Sequence, residues 1–237
     1  MNATRDRKLG QTELSVLRLT NQFGLCVPQA TGGLPELGGL SAVSQQRLLD
    51  RLVRWQLLTP CWLYPGRRCY VLTLAGQQRV SGAGQRGLQV DRPLSSETKL
   101  RRFAMLSFCC LGKTPRRPVT PCHEDETRLQ ADDAPLSGNY YVQNGDKDIY
   151  GFLRVDMGGA GRWDRIVAKC CHDARRIVTA STLKPYTASG LFEITLATAT
   201  QQKAERIHQA FCDNPTELPV RIAIIPELFH LQAPRPI

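Results

Sequence analysis

Between residues 43 and 80 the apolar positions change their spacing, and few folds accommodate the change. Leu48, Leu49, Leu52, Val53 and Leu57 recur at three- and four-residue intervals, which is one face of a helix. The opposite face carries Gln46, Arg47, Asp50, Arg51 and Arg54. Ser41 or Ser44 offers a short hydroxyl to the free N–H groups of the first turn. After Leu58 the helical spacing stops. Residues 61–64 and 69–74 read as two strands, and Pro65-Gly66-Arg67-Arg68 between them reads as a tight turn. Proline presets φ for such a turn and glycine accepts φ > 0, so two arginines arrive with a hairpin tip.

A helix with an arginine face, followed by an arginine-bearing hairpin, is the layout of a winged helix-turn-helix. There one helix enters a major groove and the hairpin meets the DNA backbone. The plainer account is any amphipathic helix and hairpin with solvated arginines. Two features favour the first reading. Residues 13–23 form a second amphipathic stretch (Leu14, Leu17, Leu19, Phe23), and the glycine-rich residues 30–40 after it suit a short helix and turn. Residues 52–80 also resemble the end of many bacterial winged helices, closing on Leu72-Thr73-Leu74-Ala75-Gly76. On this reading Ser44, Gln46, Arg47 and Arg51 reach the groove, while Arg54, Arg67 and Arg68 meet phosphates. Gln46 and Arg47 are the residue types that form bidentate pairs with adenine and guanine.

Charge points to the same half of the chain. The formal net charge is +10 over 237 residues. Residues 1–120 hold 18 Lys and Arg against 6 Asp and Glu, a net of +12, and residues 121–237 hold 13 against 15, a net of −2. Phosphate neutralisation needs such an excess. A basic membrane-surface domain is the competitor, but no exposed aromatic face adjoins the arginines. No apolar run approaches the roughly 20 residues of a membrane span, and the first ten residues lack the apolar core of a signal peptide. A bacterial cytoplasmic protein without a membrane partner is the expectation. Its nine cysteines show no C-x2-4-C spacing. Cys122-His123 and Cys170-Cys171-His172 would bind metal only if the fold joined them, and buried thiols packing as small hydrophobes are the better account.

Along the chain, residues 81–94 read as a linker, and residues 95–107 as a helix whose Lys99, Arg101 and Arg102 either extend the basic surface or are simply solvated. Residues 112–138 carry four prolines and mixed charge and read as an irregular connection, with at most a short strand at 117–120. Its acidic run, Glu124-Asp125-Glu126, is expected to be solvated rather than metal-binding. From residue 139 the pattern becomes β-β-α-β-α-β: strands at 140–142 and 148–156, a helix at 164–178, a strand at 192–197, a helix at 201–211 and a last strand at 220–225. Continuous apolarity in that last strand implies cover on both faces. The expected division is 1–85 as the DNA-binding domain, 86–138 as linker with a bridging helix, and 139–237 as a small α/β domain. The fold class is α+β.

The order of the last domain resembles the PD-(D/E)xK nuclease core, where carboxylates at a hairpin and at a strand end hold a divalent cation that activates water. With the N-terminal module, the whole chain is similar in layout to the plasmid replication-relaxation family and related mobilisation relaxases with a nuclease-like fold. The local match is GDKDIYGFLRVDMGG. The resemblance implies Asp148 or Asp146 as first acid, Asp156 as second, and Lys169 from the following helix. Arg154 stands where the family has its first glutamate, and Gly158 where a lysine is required. An arginine repels Mg²⁺ and cannot ligate it. The domain is therefore expected to be a non-catalytic scaffold, with no cofactor unless it cleaves, when Mg²⁺ is needed. Function is expected to be sequence-specific binding of double-stranded DNA in mobilisation or relaxation of a plasmid or integrative conjugative element. The alternatives are a transcriptional regulator of that element and a metal-dependent nicking enzyme. A homodimer and a relaxase or other mobilisation protein are the expected partners.

Overall fold

The computed structural model describes residues 8–31, 40–80, 94–110, 117–118, 130–131, 134–135, 139–144, 147–158 and 163–232. The chain is mixed α+β and divides into two compact units, Met1–Leu111 and Gly112–Ile237. The helix at 95–107 therefore belongs to the first unit rather than to a connection. Most of residues 30–40 and 112–138, with the linker at 81–93, lie outside the described residues.

In the first unit, α1 (Gln11–Phe23) and α2 (Pro28–Thr31) precede α3 (Ala42–Arg54), the hairpin β1 (Leu58–Tyr64) and β2 (Arg67–Leu72), α4 (Leu74–Val80) and α5 (Ser96–Cys110). Helix α3 starts where the sequence places it: the Ser41 hydroxyl accepts the Ser44 N–H at 3.2 Å. It ends in a Schellman turn, with Leu57 N–H on the Leu52 carbonyl and Gln56 N–H on that of Val53. That turn forces Gln56 to φ 57°, a left-handed conformation that glycine adopts more cheaply. Thr73 then fixes α4 by accepting the Gly76 N–H while donating to the Gln56 carbonyl. A Cβ at residue 76 would run into the Leu57 carbonyl oxygen, which is why the Leu-Thr-x-x-Gly ending requires glycine.

The hairpin turns at Pro65-Gly66, where Gly66 has φ 81° as position i+2 of a type II turn demands. Its arginines are not in the turn, as the sequence suggested, but begin β2. Alternation along the strand then separates them, Arg67 half-buried and Arg68 exposed. On its other edge β2 receives a one-residue bridge from Cys26, paired with Tyr70 through both backbone groups. Val16, Leu17, Leu49, Leu52, Tyr70 and Phe103 are among the fully buried side chains.

In the second unit, β6 (Asn139–Asn144), β7 (Lys147–Val155), β8 (Phe192–Thr198) and β9 (Val220–Ile224) form a sheet in sequence order, with the two-residue β3 (Arg117–Pro118) beside β6. The pairs β3–β6 and β6–β7 are antiparallel, and β7–β8 and β8–β9 are parallel. Helix α6 (Trp163–Thr179), the short α7 (Lys184–Ala188) and α8 (Gln201–Asp213) carry the crossovers; α9 (Leu228–Gln232) follows β9. A separate two-residue pair, β4 (Gln130–Ala131) and β5 (Ala134–Pro135), is antiparallel. Ile166, Val167, Cys170, Ala174 and Ile177 of α6 pack with Phe152, Phe192, Ile194, Leu196 and Ile207. One expectation reverses. The last strand, β9, carries Arg221 among its apolar residues and lies at the sheet edge with Arg221 and Ile224 exposed, whereas β8, which carries Glu193, Thr195 and Thr198, is buried over all seven residues. Position in the sheet order, not apolarity, decided which strand is covered on both faces. Among the described residues no helix is long and apolar enough to cross a membrane.

Candidate nucleic-acid interface

Helix α3 and the hairpin hold all seven residues that the sequence offers to DNA, and the structure sorts them. Arg47 and Arg54 are exposed and make no hydrogen bond or ion pair with any described residue. Their seven-residue separation puts them on one face of α3. Val43, 60% exposed, lies one turn before Arg47 on that face. Asp50 shares the face and accepts a hydrogen bond from the Gln46 amide at 2.8 Å. Arg68 is exposed on β2, its guanidinium 5.3 Å from the ring centroid of Trp62, the residue directly opposite on β1. Trp62 is itself 56% exposed, a large ring on a hairpin that the sequence reading passed over.

Of the other four, Gln46, Arg51 and Ser44 have partners inside the unit. Gln46 donates to the Tyr70 hydroxyl at 2.6 Å as well as to Asp50, so its amide is not presented for pairing with adenine. Arg51 makes a 2.5 Å ion pair with the buried Glu13 of α1 and stacks over Trp55. It joins α1 to α3, a structural part in place of the expected groove contact. Ser44 is taken up in the N-cap with Ser41. Arg67 is half-buried, and its Nε is buried without a hydrogen-bond partner among the described residues, so no internal contact accounts for it. The basic face expected on α5 is likewise occupied. Lys99 donates to the Trp62 carbonyl, Arg101 pairs with Glu97, and Arg102 donates to the Gly24 carbonyl. Gly24 caps the C-terminal end of α1, where a cation also meets the negative end of the helix dipole.

The acidic positions of the second unit do not assemble. Asp148 and Asp156 stand at opposite ends of β7, eight residues apart and therefore about 26 Å apart along a strand. One cation with ligands within about 2.5 Å of it cannot use both. Lys169 is exposed on α6, and the lysine that reaches Asp156 is Lys203 of α8, at 2.6 Å. Asp156 is 3% exposed; its carboxylate also accepts the Gly158 N–H and the Thr198 hydroxyl. Both of its oxygens are thus engaged by protein donors. Asp146, with Cys122-His123 and Glu124-Asp125-Glu126, lies outside the described residues. Among the described residues no group of three His, Cys, Asp or Glu side chains could hold a metal ion.

Two further buried acids were missed from sequence. Asp173 of α6 ion-pairs with Arg154. Glu193 of β8 pairs with Arg221 at 2.5 Å and accepts the Tyr140 hydroxyl, which also meets Thr195. An acid on an otherwise apolar stripe, as Asp173 is, was the available signal. The arginine that would have shared a metal site is consumed by it. No protein-family model, curated protein or solved structure matches this chain.

Proposed function

We propose that the first unit is a winged helix-turn-helix that binds double-stranded DNA, with α3 in the major groove and the β1–β2 hairpin on the backbone. The order of elements supports it: helix, bridging residue, two helices, hairpin. The observation that carries it is the exposure of Arg47, Arg54 and Arg68 without an acidic partner among the described residues, while Arg51, Arg101 and Arg102 are spent internally. Arg47 is the base reader, with a guanine edge as its target, and Val43 beside it meets a thymine methyl. Arg54 and Arg68 neutralise phosphates.

The second unit is a nuclease-like scaffold that does not cleave. Its strand order favours the PD-(D/E)xK likeness, and the separation of Asp148 from Asp156 and the pairing of Asp156 with Lys203 favour a structural role for those acids. The chain as a whole acts as a site-reading protein in mobilisation of a plasmid or conjugative element.

The test is retention of sheared duplex DNA of the element by the protein at about 0.15 M salt, followed by sequencing of what is kept. Enrichment at a transfer or replication origin is the expected result. Enrichment upstream of genes makes the chain a regulator instead. Retention without enrichment, or none, removes the site-reading claim.

A further inference from the structure

The hairpin carries a second chemistry, and a bulge creates it. A two-residue turn at Pro65-Gly66 pairs Tyr64 with Arg67, and that register continued would set Cys61 opposite Tyr70 and Cys69 opposite Trp62. The register instead slips by one residue between Trp62 and Tyr64, with Leu63 as the extra residue. From the bulge onward every pair is shifted, and Cys61 faces Cys69 directly. Their sulfur atoms lie 2.8 Å apart, both as free thiols. Directly opposite residues of an antiparallel pair have Cα atoms about 4.5–5.5 Å apart, inside the window a disulfide accepts without moving the backbone.

We propose that Cys61 and Cys69 are a hydroperoxide-reactive dithiol that closes a disulfide across the hairpin. This inference stands independently of the DNA-binding reading. The two sulfurs have different parts. Cys69 is fully buried and Cys61 half-exposed, so Cys61 is the one a small oxidant reaches. The two sulfurs share a hydrogen bond, which the Cys69 thiol donates whenever Cys61 is the thiolate, and the Lys99 ammonium favours that thiolate. Together these pull the Cys61 thiol down to about 7 against burial, while Cys69 is pushed up and stays protonated. Elsewhere burial is the main cause that pushes the thiols of Cys26, Cys110 and Cys170 up to about 12.

In the first step the Cys61 thiolate attacks one oxygen of hydrogen peroxide. An S–O bond forms, the O–O bond breaks, and the leaving hydroxide takes a proton to become water. Cys61 is then a sulfenic acid. In the second step the Cys69 sulfur attacks the Cys61 sulfur. The S–S bond forms, the S–O bond breaks, and the hydroxide leaves as water with the Cys69 proton. Two thiols and one peroxide give one disulfide and two waters.

The lowered value gives Cys61 a larger thiolate fraction at neutral pH than an ordinary thiol, partly offset by a lower nucleophilicity per thiolate. Because the shift is downward, reactivity is present above pH 7 and lost as pH falls through it.

The experiment treats the full chain with limiting hydrogen peroxide, blocks free thiols with iodoacetamide, and maps the digest by mass spectrometry without reductant. A cross-linked peptide joining residues 61 and 69, released by dithiothreitol, is the expected product. In Cys69→Ser, or Cys69→Ala where serine disturbs the buried site, Cys61 should accumulate as a sulfenic acid trapped by dimedone. In Cys61→Ser, Cys69 should remain a thiol. The proposal is overturned if both cysteines of the parent stay alkylatable after peroxide. It is equally overturned if Cys69 is oxidised as readily in Cys61→Ser as in the parent.

Discussion

The two units treat charge in opposite ways. In the second, the buried acids Asp156, Asp173 and Glu193 each hold a cation, from Lys203, Arg154 and Arg221 respectively. In the first, among the described residues, one buried acid, Glu13, holds one arginine, and Arg47, Arg54 and Arg68 face solvent without an acidic partner. Charges that are already paired at close range in a protein interior have no field left for a ligand, whereas exposed unpaired arginines keep theirs. The contrast supports the proposal that the first unit binds and the second supports it. It also weighs against the sequence's view of Asp156 as a remnant metal ligand, because that carboxylate is held by Lys203.

The largest effects should come from breaking those internal pairs. Asp173→Ala strands a mostly buried Arg154, and Lys203→Met strands a buried Asp156. Each should cost about 3 kcal/mol or more by urea denaturation. Replacing both partners with apolar residues, Arg154→Met with Asp173→Leu, should recover much of the loss, since a buried pair contributes little net stability. If the single changes are nearly silent, the pairs are not buried in solution and the contrast weakens.

How much of this was legible depends on the range of the interaction. Helix α3, its Ser41 cap, the Pro65-Gly66 turn and the order of the last six major elements are written in local spacing. They were read with boundaries near those observed. The roles of individual polar residues were not. Gln46 meets Tyr70 24 residues away, Arg51 meets Glu13 38 away, and Asp156 meets Lys203 across β8, distances over which periodicity says nothing. The arginines at the hairpin were misplaced for a local reason: the turn takes only Pro65 and Gly66, so Arg67 already pairs with Tyr64, and the bulge at Leu63, invisible in a strand–turn–strand pattern, shifts the pairs beyond it. The reversal between β8 and β9 has the same origin, since only the sheet order shows which strand is central.

Backbone changes in the first unit should be smaller. Gly76→Ala forces a Cβ against the Leu57 carbonyl oxygen and should cost about 1–3 kcal/mol, detected as a lower urea midpoint. Gln56→Gly relieves the left-handed residue in the Schellman turn and should add about 0.5–1 kcal/mol, with a higher midpoint and an unchanged slope. A loss there would mean that the turn between α3 and β1 is drawn wrongly. The smallest change in stability, within about 0.5 kcal/mol, is expected for Arg47→Ala, Arg54→Ala and Arg68→Ala, because no described residue pairs with the first two and, among the described residues, only a Trp62 stacking contact engages the third. A larger loss would show that these arginines, like Arg51, belong to the fold.

That near-neutrality makes the three arginines the sharpest probe of the central claim. The measurement is the affinity of the full chain for a fluorescent duplex across a salt series, repeated with Arg47→Ala, Arg54→Ala and Arg68→Ala singly and together. Binding should weaken linearly with the logarithm of salt concentration. Each phosphate-contacting arginine, Arg54 and Arg68, should lower the slope by about one when removed, and Arg47 should reduce discrimination between sequences instead. A parent chain that binds duplex no better than the triple variant, with the same slope, would contradict the account.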